Sequence, residues 1–393
     1  MLLKLFNRLF NFVLPLAIVY ISFLSTNQSF GQQMKFVQDN FSSRFPQTIV
    51  NDIFQDPNGL IWLGTSAGLY SYDGINYHIL TESKTKQISN IFNYSEDEIL
   101  VGTEDGKLIK VNFLKEQAQL VTIDSLIENS INGVITINNQ LFAASYGDGL
   151  WKSEQGGWEK ITGLSEFSFD EIYSMATDKD RRIYLGTDDG LCIFDYKKNQ
   201  FDWITVKDGL PDNIVKVLQA DKEGNIWIGF HQNGFCKIKD GQLSDEIFIK
   251  NWEYGPIISI NTQLDNRLFI GTSTGALIDY QLNADKNKLI LTSWNHSSII
   301  KNILVDREAN LWVSDANNGL SKSSLFFSYL DFPGPLSSQN VQSIFMDSRQ
   351  NLWFSTADAL YECTLSITYP NIKSISVPRF MALVLSVFML KMT

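Results

Sequence analysis

Short apolar segments alternate with turn-forming residues along this chain, and one such pattern recurs roughly every 40 residues. An apolar strand leads through a turn to a large side chain followed two residues later by a small one, then to a second turn and another strand. Ile49 to Gly74 is the clearest copy. The slot of the large side chain is filled eight times, by Trp62, Leu100, Phe142, Tyr184, Trp227, Phe269, Trp312 and Trp353. This period predicts an all-β fold, a β-propeller whose four-stranded blades each take up about 42 residues.

The large side chains are expected to lie in the core, where they fill the wedge between neighbouring blades. Leu, Phe and Tyr replace Trp in four copies, as volume filling allows. The Asp that opens the preceding turn, as in Asp56 to Gly59, fits a type I turn. No DxDxDG loop accompanies it, so turn formation is favoured over calcium binding.

The repeated residues resemble a known family, the two-component regulator propeller, which occurs in periplasmic sensor regions of bacterial signalling proteins. The resemblance rests on Asp56 to Gly59 with Trp62 and Gly64, and on Asp221 to Gly224 with Trp227. It extends over roughly residues 35 to 362. It implies seven-bladed propellers arranged in tandem, followed in longer relatives by a histidine kinase or a DNA-binding regulator.

The number of blades is open to two interpretations. Met34 to Gln38 is predicted to be an outer strand, and the eighth repeat lacks a clear outer strand of its own after Tyr361, so an N-terminal strand could complete an eighth blade. The family resemblance instead favours seven blades, with the eighth repeat opening a second propeller. Seven blades are preferred. The predicted domains are a propeller over residues 32–362 and an irregular tail over 363–393, which a truncated reading frame would explain.

The first 31 residues have the pattern of a cleavable signal peptide. Lys4 and Arg8 precede the apolar run Phe12 to Leu24, and Ser29-Phe30-Gly31 offers a cleavage site. The sequence therefore predicts a periplasmic protein whose mature chain begins at Gln32 and has no membrane span of its own. A retained anchor is the alternative.

Composition limits the partners and cofactors. The formal net charge of -11 argues against nucleic acid, which rewards a basic face. Cys192, Cys236 and Cys363 lack metal-binding spacing, and the first two are expected to be buried free thiols. No metal and no cofactor is predicted. Because the sequence contains no Walker loop, GxSxG elbow or HExxH pair, we expect no enzyme activity.

A binding site is expected where the turns between second and third strands meet the links between blades. Aromatic rings beside amide and carboxylate groups suit an oligosaccharide. The candidate ligand-binding residues are Tyr146, Asp148, His231, Asn233, Trp252, Tyr254, Trp294 and His296. Trp252 and Trp294 are expected to be exposed, so that their loss would cost binding and little stability.

Two functions fit these observations. The first is an extracytoplasmic ligand-sensing propeller, resembling the sensor part of a two-component signal transduction protein, which responds to carbohydrate or polymer fragments. Its signalling module or second propeller would lie outside this chain. The alternative is a scaffold that holds a protein partner on the propeller face.

Overall fold

The computed structural model describes residues 36–39, 41–45, 47–113, 117–121, 127–154, 157–162, 170–244, 252–264, 267–281, 288–292, 298–325, 343–347, 351–355, 360–364 and 371–375. Met34–Phe327 form one compact unit, and the described strands beyond Ser328 belong to a second. The first unit is a seven-bladed β-propeller of four-stranded antiparallel sheets, which confirms the preferred fold.

Each blade is a meander in which consecutive strands pair, with the inner strand first. Blade 1 contains β2 (Val50–Gln55), β3 (Ile61–Thr65), β4 (Gly68–Tyr72) and β5 (Tyr77–Ile79), and blade 2 contains β6 (Ile88–Asn93), β7 (Glu98–Thr103), β8 (Leu108–Asn112) and β9 (Gln117–Val121). Blade 3 contains β10 (Ile131–Ile137), β11 (Gln140–Ser145), β12 (Gly149–Glu154) and β13 (Gly157–Ile161), and blade 4 contains β14 (Ile172–Thr177), β15 (Ile183–Thr187), β16 (Leu191–Asp195) and β17 (Gln200–Ile204). Blades 5 to 7 contain β18 (Val215–Ala220), β19 (Ile226–Phe230), β20 (Phe235–Lys239), β21 (Gln242–Leu243); β22 (Ile257–Leu264), β23 (Arg267–Thr272), β24 (Leu277–Gln281), β25 (Lys288–Thr292); and β26 (Ile300–Val305), β27 (Asn310–Asp315), β28 (Gly319–Ser324).

The ring is closed by the N-terminal strand. β1 (Val37–Gln38) pairs antiparallel with β28 and so supplies the fourth strand of blade 7. The single turn of helix α1 (Phe41–Arg44) then leads into blade 1, where the ring of Phe41 packs between Tyr70 and Tyr77. Short 3₁₀ turns at Thr81–Ser83 and Val206–Asp208 lie in links between blades. The inner strands of neighbouring blades contact each other around the whole ring, including β2 with β26.

The eighth repeat forms a separate sheet of β29 (Ser343–Met346), β30 (Asn351–Ser355), β31 (Leu360–Thr364) and β32 (Asn371–Ile375). The N-terminal strand completes the seventh blade, so the alternative of an eighth blade does not hold. The eighth repeat has its own outer strand, β32, inside the segment 363–393 that we expected to be irregular.

A hydrogen bond from the large side chain to the turn before it stabilises five repeats. Trp227 Nε1 donates to Asp221 Oδ2 at 3.0 Å, while Asp221 Oδ1 accepts from the backbone N–H groups of Glu223 and Asn225. The same pair, six residues apart, recurs as Asp56 with Trp62, Asp178 with Tyr184, Asp306 with Trp312 and Asp347 with Trp353. The three repeats whose slot holds Leu100, Phe142 or Phe269 have no Asp at that spacing. One Asp carboxylate thus fixes both the backbone of the turn and the aromatic side chain that follows it.

The predictions for the core and the cysteines hold in the propeller. Trp62, Trp227 and Trp312 are buried, as expected for wedge residues. Cys192 and Cys236 are buried free thiols, and burial raises the pKa of each. The side chain of Cys363 lies outside the described part of the chain. No helix within the described residues is long and apolar enough to cross a membrane.

Asp52 links three inner strands at the point of ring closure. Its carboxylate accepts hydrogen bonds from Ile91 N in blade 2 and Asn302 Nδ2 in blade 7, both at 2.6 Å, as well as from Ile53 N. Burial outweighs these donors and raises the pKa of Asp52 from 3.8 to about 7. A proton is therefore bound more tightly in the folded state than in the unfolded chain.

We expect Trp227→Ala to lower the free energy of unfolding by about 3 to 5 kcal/mol, since it removes both ring volume and hydrogen bond. Trp227→Phe keeps most of the volume but removes the indole hydrogen bond to Asp221 Oδ2, and should cost about 1 to 2 kcal/mol. Urea titration of the purified variants measures both. Equal stability of wild type and Trp227→Phe would show that only the volume matters.

The stability that Asp52 contributes should depend on pH. Because its folded pKa of about 7 lies above 3.8, this contribution is fully present below about pH 4 and is lost as the pH rises through 7. The loss should amount to about 4 kcal/mol over this window. Unfolding titrations between pH 4 and 8 test this against Asp52→Asn, whose side chain does not titrate. A variant with the same pH profile as the wild type would contradict the assignment.

Candidate functional site

Every inner strand of the propeller carries a β-bulge near its first residue. The pairing with the second strand skips one residue in each blade: Asn51, Ser89, Asn132, Tyr173, Lys216, Ile258 and Lys301. These positions lie at the end of the inner strands that is shared by the links between blades and the turns between second and third strands. We call this side the hairpin face. Bulges re-aim side chains and are common near functional sites.

In blades 1 to 3 the bulge side chain is used to join neighbouring blades. Asn51 Nδ2 donates to Ile88 O at 2.8 Å, and Ser89 Oγ donates to Ile131 O at 2.9 Å. Asn132 Nδ2 bonds to the corresponding carbonyl of blade 4 at 3.1 Å. Blades 4 to 7 instead place Tyr173, Lys216, Ile258 and Lys301 at this position. Of these, Tyr173 and Lys216 contact each other.

These two residues are the centre of a polar group that we call the tyrosine–lysine cluster: Tyr146, Glu171, Tyr173, Asp188 and Lys216. The rings of Tyr146 and Tyr173 lie 4.9 Å apart between centroids, tilted by 39°. Lys216 Nζ lies 3.2 Å from the centroid of Tyr173. Tyr146 is 38 % exposed, whereas the other four residues are half-buried. The cluster thus combines an accessible aromatic surface with partly desolvated charges.

The charges in the cluster influence one another. A hydrogen bond with Asp188 raises the pKa of Glu171, and repulsion from neighbouring carboxylates adds to this. Burial raises the pKa of Tyr173, and its hydrogen bonds with Tyr146 and Asp188 act in the same direction. Burial lowers the pKa of Lys216, opposed by the negative charge of Asp188. Perturbed ionisable groups at a strand end are typical of functional sites.

Local backbone contacts hold the cluster together across blades 3 and 4. Gly147 N and Gly149 N, in the turn of blade 3, both donate to the carbonyl of Asp170 in the next link, at 2.7 and 3.2 Å. Tyr146 and Glu171 form an isolated antiparallel bridge. The carboxylate of Asp170 is paired with Lys160 Nζ at 2.7 Å. The link is therefore fixed against the turn that carries Tyr146.

The structure brings Trp252 and Tyr254 into contact with each other, with ring centroids 5.1 Å apart. Trp252 also packs edge-on against Phe235, and its Nε1 donates to Gly255 O at 2.6 Å. A Cβ on Gly234 would lie 3.1 Å from the indole, so the ring covers that turn closely. Trp252 is half-buried on the core of blade 6 rather than exposed at a loop, contrary to our expectation.

The remaining candidates mostly serve the turns. Asn233 Nδ2 donates to Pro211 O at 2.9 Å, and His231 lies in the same turn, where its backbone N–H donates to Ile214 O at 3.0 Å. Asp148 accepts from the backbone N–H groups of Glu128 and Asn129, and so ties its turn to the preceding link. Trp294 and His296 lie outside the described residues. Of the predicted site residues, Tyr146 alone belongs to the tyrosine–lysine cluster.

Sequence reasoning missed Tyr173, Lys216, Asp188 and Glu171. Asp188 lies in the turn between the second and third strands of blade 4, where it is half-buried. Aligning the repeats on their first inner-strand residue would have shown Tyr, Lys, Ile and Lys in blades 4 to 7, where blades 1 to 3 carry Asn or Ser. That departure from the repeat is the usable signal.

A shallow groove lies on the opposite face, between blades 4 and 5. Its lining includes Asp178, Lys179, Arg182, Glu223 and Asp240. Arg182 Nε is already bound to Asp178 Oδ2 at 2.7 Å, and a Cβ on Gly224 would lie 2.4 Å from the Lys179 side chain. The groove is occupied by the protein's own side chains, which makes it a weaker candidate than the cluster.

Comparison with known proteins supports the repeat assignment. The family model described as two component regulator propeller matches residues 44–67, 209–232 and 335–358. These three segments are two-component regulator propeller repeats, as the resemblance predicted. No protein with a curated description matches the sequence.

Solved structures share the fold. The extracellular domain of a hybrid two-component system from B. thetaiotaomicron is 22% identical with a TM-score of 0.59, covering 88% of this chain and 47% of that one. A second such domain from the same organism is 18% identical with a TM-score of 0.61, covering 84% and 47%. Virginiamycin B lyase from Staphylococcus aureus is 12% identical with a TM-score of 0.59, covering 75% and 99%. The chain spans about half the length of the two extracellular domains, and these likenesses show the fold alone.

The geometry predicts that Trp252 contributes to stability. Trp252→Ala should lower the free energy of unfolding by about 2 to 3 kcal/mol, because the ring packs on Phe235 and covers Gly234. Tyr146→Ala removes a more exposed ring and should cost less than about 1 kcal/mol. Urea titration compares the two. A reversed order would mean that Trp252 is the free aromatic surface and Tyr146 the packed one.

Proposed function

We propose that this propeller is the ligand-sensing part of an extracytoplasmic two-component signalling protein and that it binds a carbohydrate at the tyrosine–lysine cluster. The observation that carries this is the grouping of Tyr173 and Lys216, the bulge residues of blades 4 and 5, with the exposed ring of Tyr146. The bulge side chains of blades 1 to 3 hold the ring together, whereas Tyr173 and Lys216 join Tyr146, Glu171 and Asp188 on the accessible hairpin face.

Chemical complementarity supports a sugar as the ligand. The exposed Tyr146 ring can stack on the apolar face of a pyranose, since aromatic side chains bury large area with little loss of entropy. Carboxyl groups and an ammonium group offer acceptors and donors for neighbouring hydroxyls. The two-component regulator repeats and the extracellular domains that share the fold support the signalling role.

The proposal includes export and a separate output. Residues 1–31 would direct the chain to the periplasm, and a signalling module beyond this chain would convert ligand binding into a response. The propeller itself would bind without catalysis. Amino-terminal sequencing of periplasmic material should begin at Gln32, whereas recovery of an intact Met1 in the membrane fraction would indicate a retained anchor.

A glycan screen by calorimetry tests the binding function. A hit on the wild-type chain should be lost in Tyr146→Ala, at least tenfold in Kd, because stacking on a central ring contributes about 1 to 3 kcal/mol. Tyr196→Ala is the matched control, since Tyr196 bonds to Asn138 on the opposite face. A screen without any hit would favour the protein scaffold, and equal loss in both variants would remove the cluster from the binding site.

A further inference from the structure

The residue just before each inner strand divides the hairpin face into an apolar half and a polar half. In blades 5, 6, 7 and 1 this residue is Ile214, Pro256, Ile299 and Ile49, whereas in blades 2, 3 and 4 it is Gln87, Ser130 and Glu171. The inner strands of blades 5, 6, 7 and 1 are in contact from each blade to the next. The four apolar residues therefore follow one another around half of the ring, and we call them the apolar arc.

Two members of the apolar arc are exposed although the fold does not require their side chains. Ile299 is 40 % exposed and Ile49 is 37 % exposed. At this repeat position the fold uses the backbone: Ile299 O accepts from Ala316 N at 3.0 Å, and Gln87 O accepts from Glu104 N at 2.9 Å. Because a glutamine fills the position equally well, the repeat does not explain the isoleucines. Adjacent exposed apolar side chains are typical of interaction surfaces.

Charged side chains are distributed unevenly over the same face. The turns between the second and third strands of blades 2 to 4 contain five carboxyl groups, those of Glu104, Asp105, Asp148, Asp188 and Asp189. The corresponding turns of blades 5, 6, 7 and 1 contain no Asp, Glu, Lys or Arg, and they comprise residues 231–234, 273–276, 316–318 and 66–67. In a chain with a formal net charge of -11, this half of the face has the depletion of charge that marks the centre of a protein interface.

The charge available at the apolar arc is positive. Lys301 is the bulge residue of blade 7, two residues after Ile299, and it is half-buried. It forms no ion pair within the described part of the chain. The carboxylate of Asp212, in the link before blade 5, accepts from two backbone N–H groups, and Glu82 and Glu253 are exposed in links that border the arc. A partner's carboxylate can therefore pair with Lys301 without displacing a carboxylate of this chain.

We propose that the apolar arc is a docking surface for another protein, which contacts it through a segment that combines apolar side chains with carboxylates. The apolar side chains cover Ile49 and Ile299, and a carboxylate pairs with Lys301. An anionic membrane fits less well, because a planar bilayer would also meet the carboxylates of blades 2 to 4 on the same face. The arc does not include Tyr146, so this docking is separate from the proposed carbohydrate binding.

Four synthetic peptides of about 12 residues test the chemistry of the partner by fluorescence anisotropy with the full chain. Their side chains alternate Glu with Leu, Gln with Leu, Lys with Leu, and Glu with Ser. The Glu–Leu peptide should bind at least about tenfold more tightly than each of the other three, because it alone offers both carboxylates and apolar side chains. Its affinity should fall as the salt concentration rises.

Variants of the chain locate the binding. Ile299→Asp brings a like charge into the arc and Lys301→Glu reverses the available charge, so each should weaken the Glu–Leu peptide at least about tenfold. Ser130→Asp is the matched control, since it makes the same kind of change at the same repeat position in blade 3. Ile75→Asp is the second control, because Ile75 is 74 % exposed in the turn between β4 and β5, on the opposite face. Both controls should keep the wild-type affinity.

Folding of every variant is checked by thermal melting, and Ile49→Asp replaces Ile299→Asp if the latter does not fold. Tyr146→Ala should also keep the affinity for the Glu–Leu peptide. Loss of that affinity would move the peptide to the tyrosine–lysine cluster and overturn a separate surface. A maleimide that labels Ile299→Cys no faster than the wild-type chain would show that the arc is already covered, which also overturns the proposal.

The remaining outcomes decide the kind of partner. No binding of the Glu–Leu peptide, or binding that Ile299→Asp and Lys301→Glu leave unchanged, would overturn the proposal. Equal binding of the Lys–Leu peptide would contradict the role of Lys301. Vesicles of phosphatidylglycerol are the last probe. If they bind the wild-type chain but not these two variants, while the Glu–Leu peptide does not bind, the arc contacts a membrane and not a protein.

Discussion

The propeller depends on a close approach between the second strand of one blade and the inner strand of the next. A Cβ on Gly64 would lie 2.8 Å from the side chain of Ile88, and one on Gly271 would lie 2.5 Å from Ile300. Gly102, Gly186 and Gly229 face Ile131, Val215 and Ile257 in the same way. In these five pairs of blades, the first apolar residue of the inner strand therefore packs on bare backbone. This contact explains why Gly follows the slot of the large side chain in five of the seven blades.

That constraint separates residues that build the ring from residues that are free to change. Three residues of the repeat each have one structural role, which explains why they recur. They are the glycine, the apolar residue that packs on it, and the Asp that accepts a hydrogen bond from the aromatic side chain. The fold places fewer requirements on the bulge residue, because its side chain emerges on the hairpin face. Asn51 and Ser89 use it to hydrogen-bond a backbone carbonyl of the next blade, whereas the ring of Tyr173 contacts the Lys216 side chain instead. Variation at this position costs the fold little and can supply a binding site.

The repeat made the architecture predictable and left the closure and the site unpredicted. The period predicted four-stranded blades, buried Trp227 and free thiols at Cys192 and Cys236, because each follows from local pattern and volume. The strand that completes blade 7 is only Val37–Gln38, and its pairing with Ser321 and Lys322 depends on contacts almost 300 residues apart in sequence. No local pattern distinguishes that partner from the eighth repeat.

The binding role of the candidate residues stays a prediction, and two of them have structural roles in the fold. Loop composition pointed to Trp252 and Asp148, but turns and links require the same aromatic, amide and carboxylate groups that a ligand would. Trp252 covers Gly234 and Asp148 caps a link, so both are occupied by the fold. The cluster instead arises at two of the four inner strands whose bulge residue is neither Asn nor Ser, where a turn from a third blade, bearing Tyr146, lies next to them. In a repeat protein, a residue that departs from its own repeats at a position with little structural demand is stronger evidence for function than a residue type favoured by ligands.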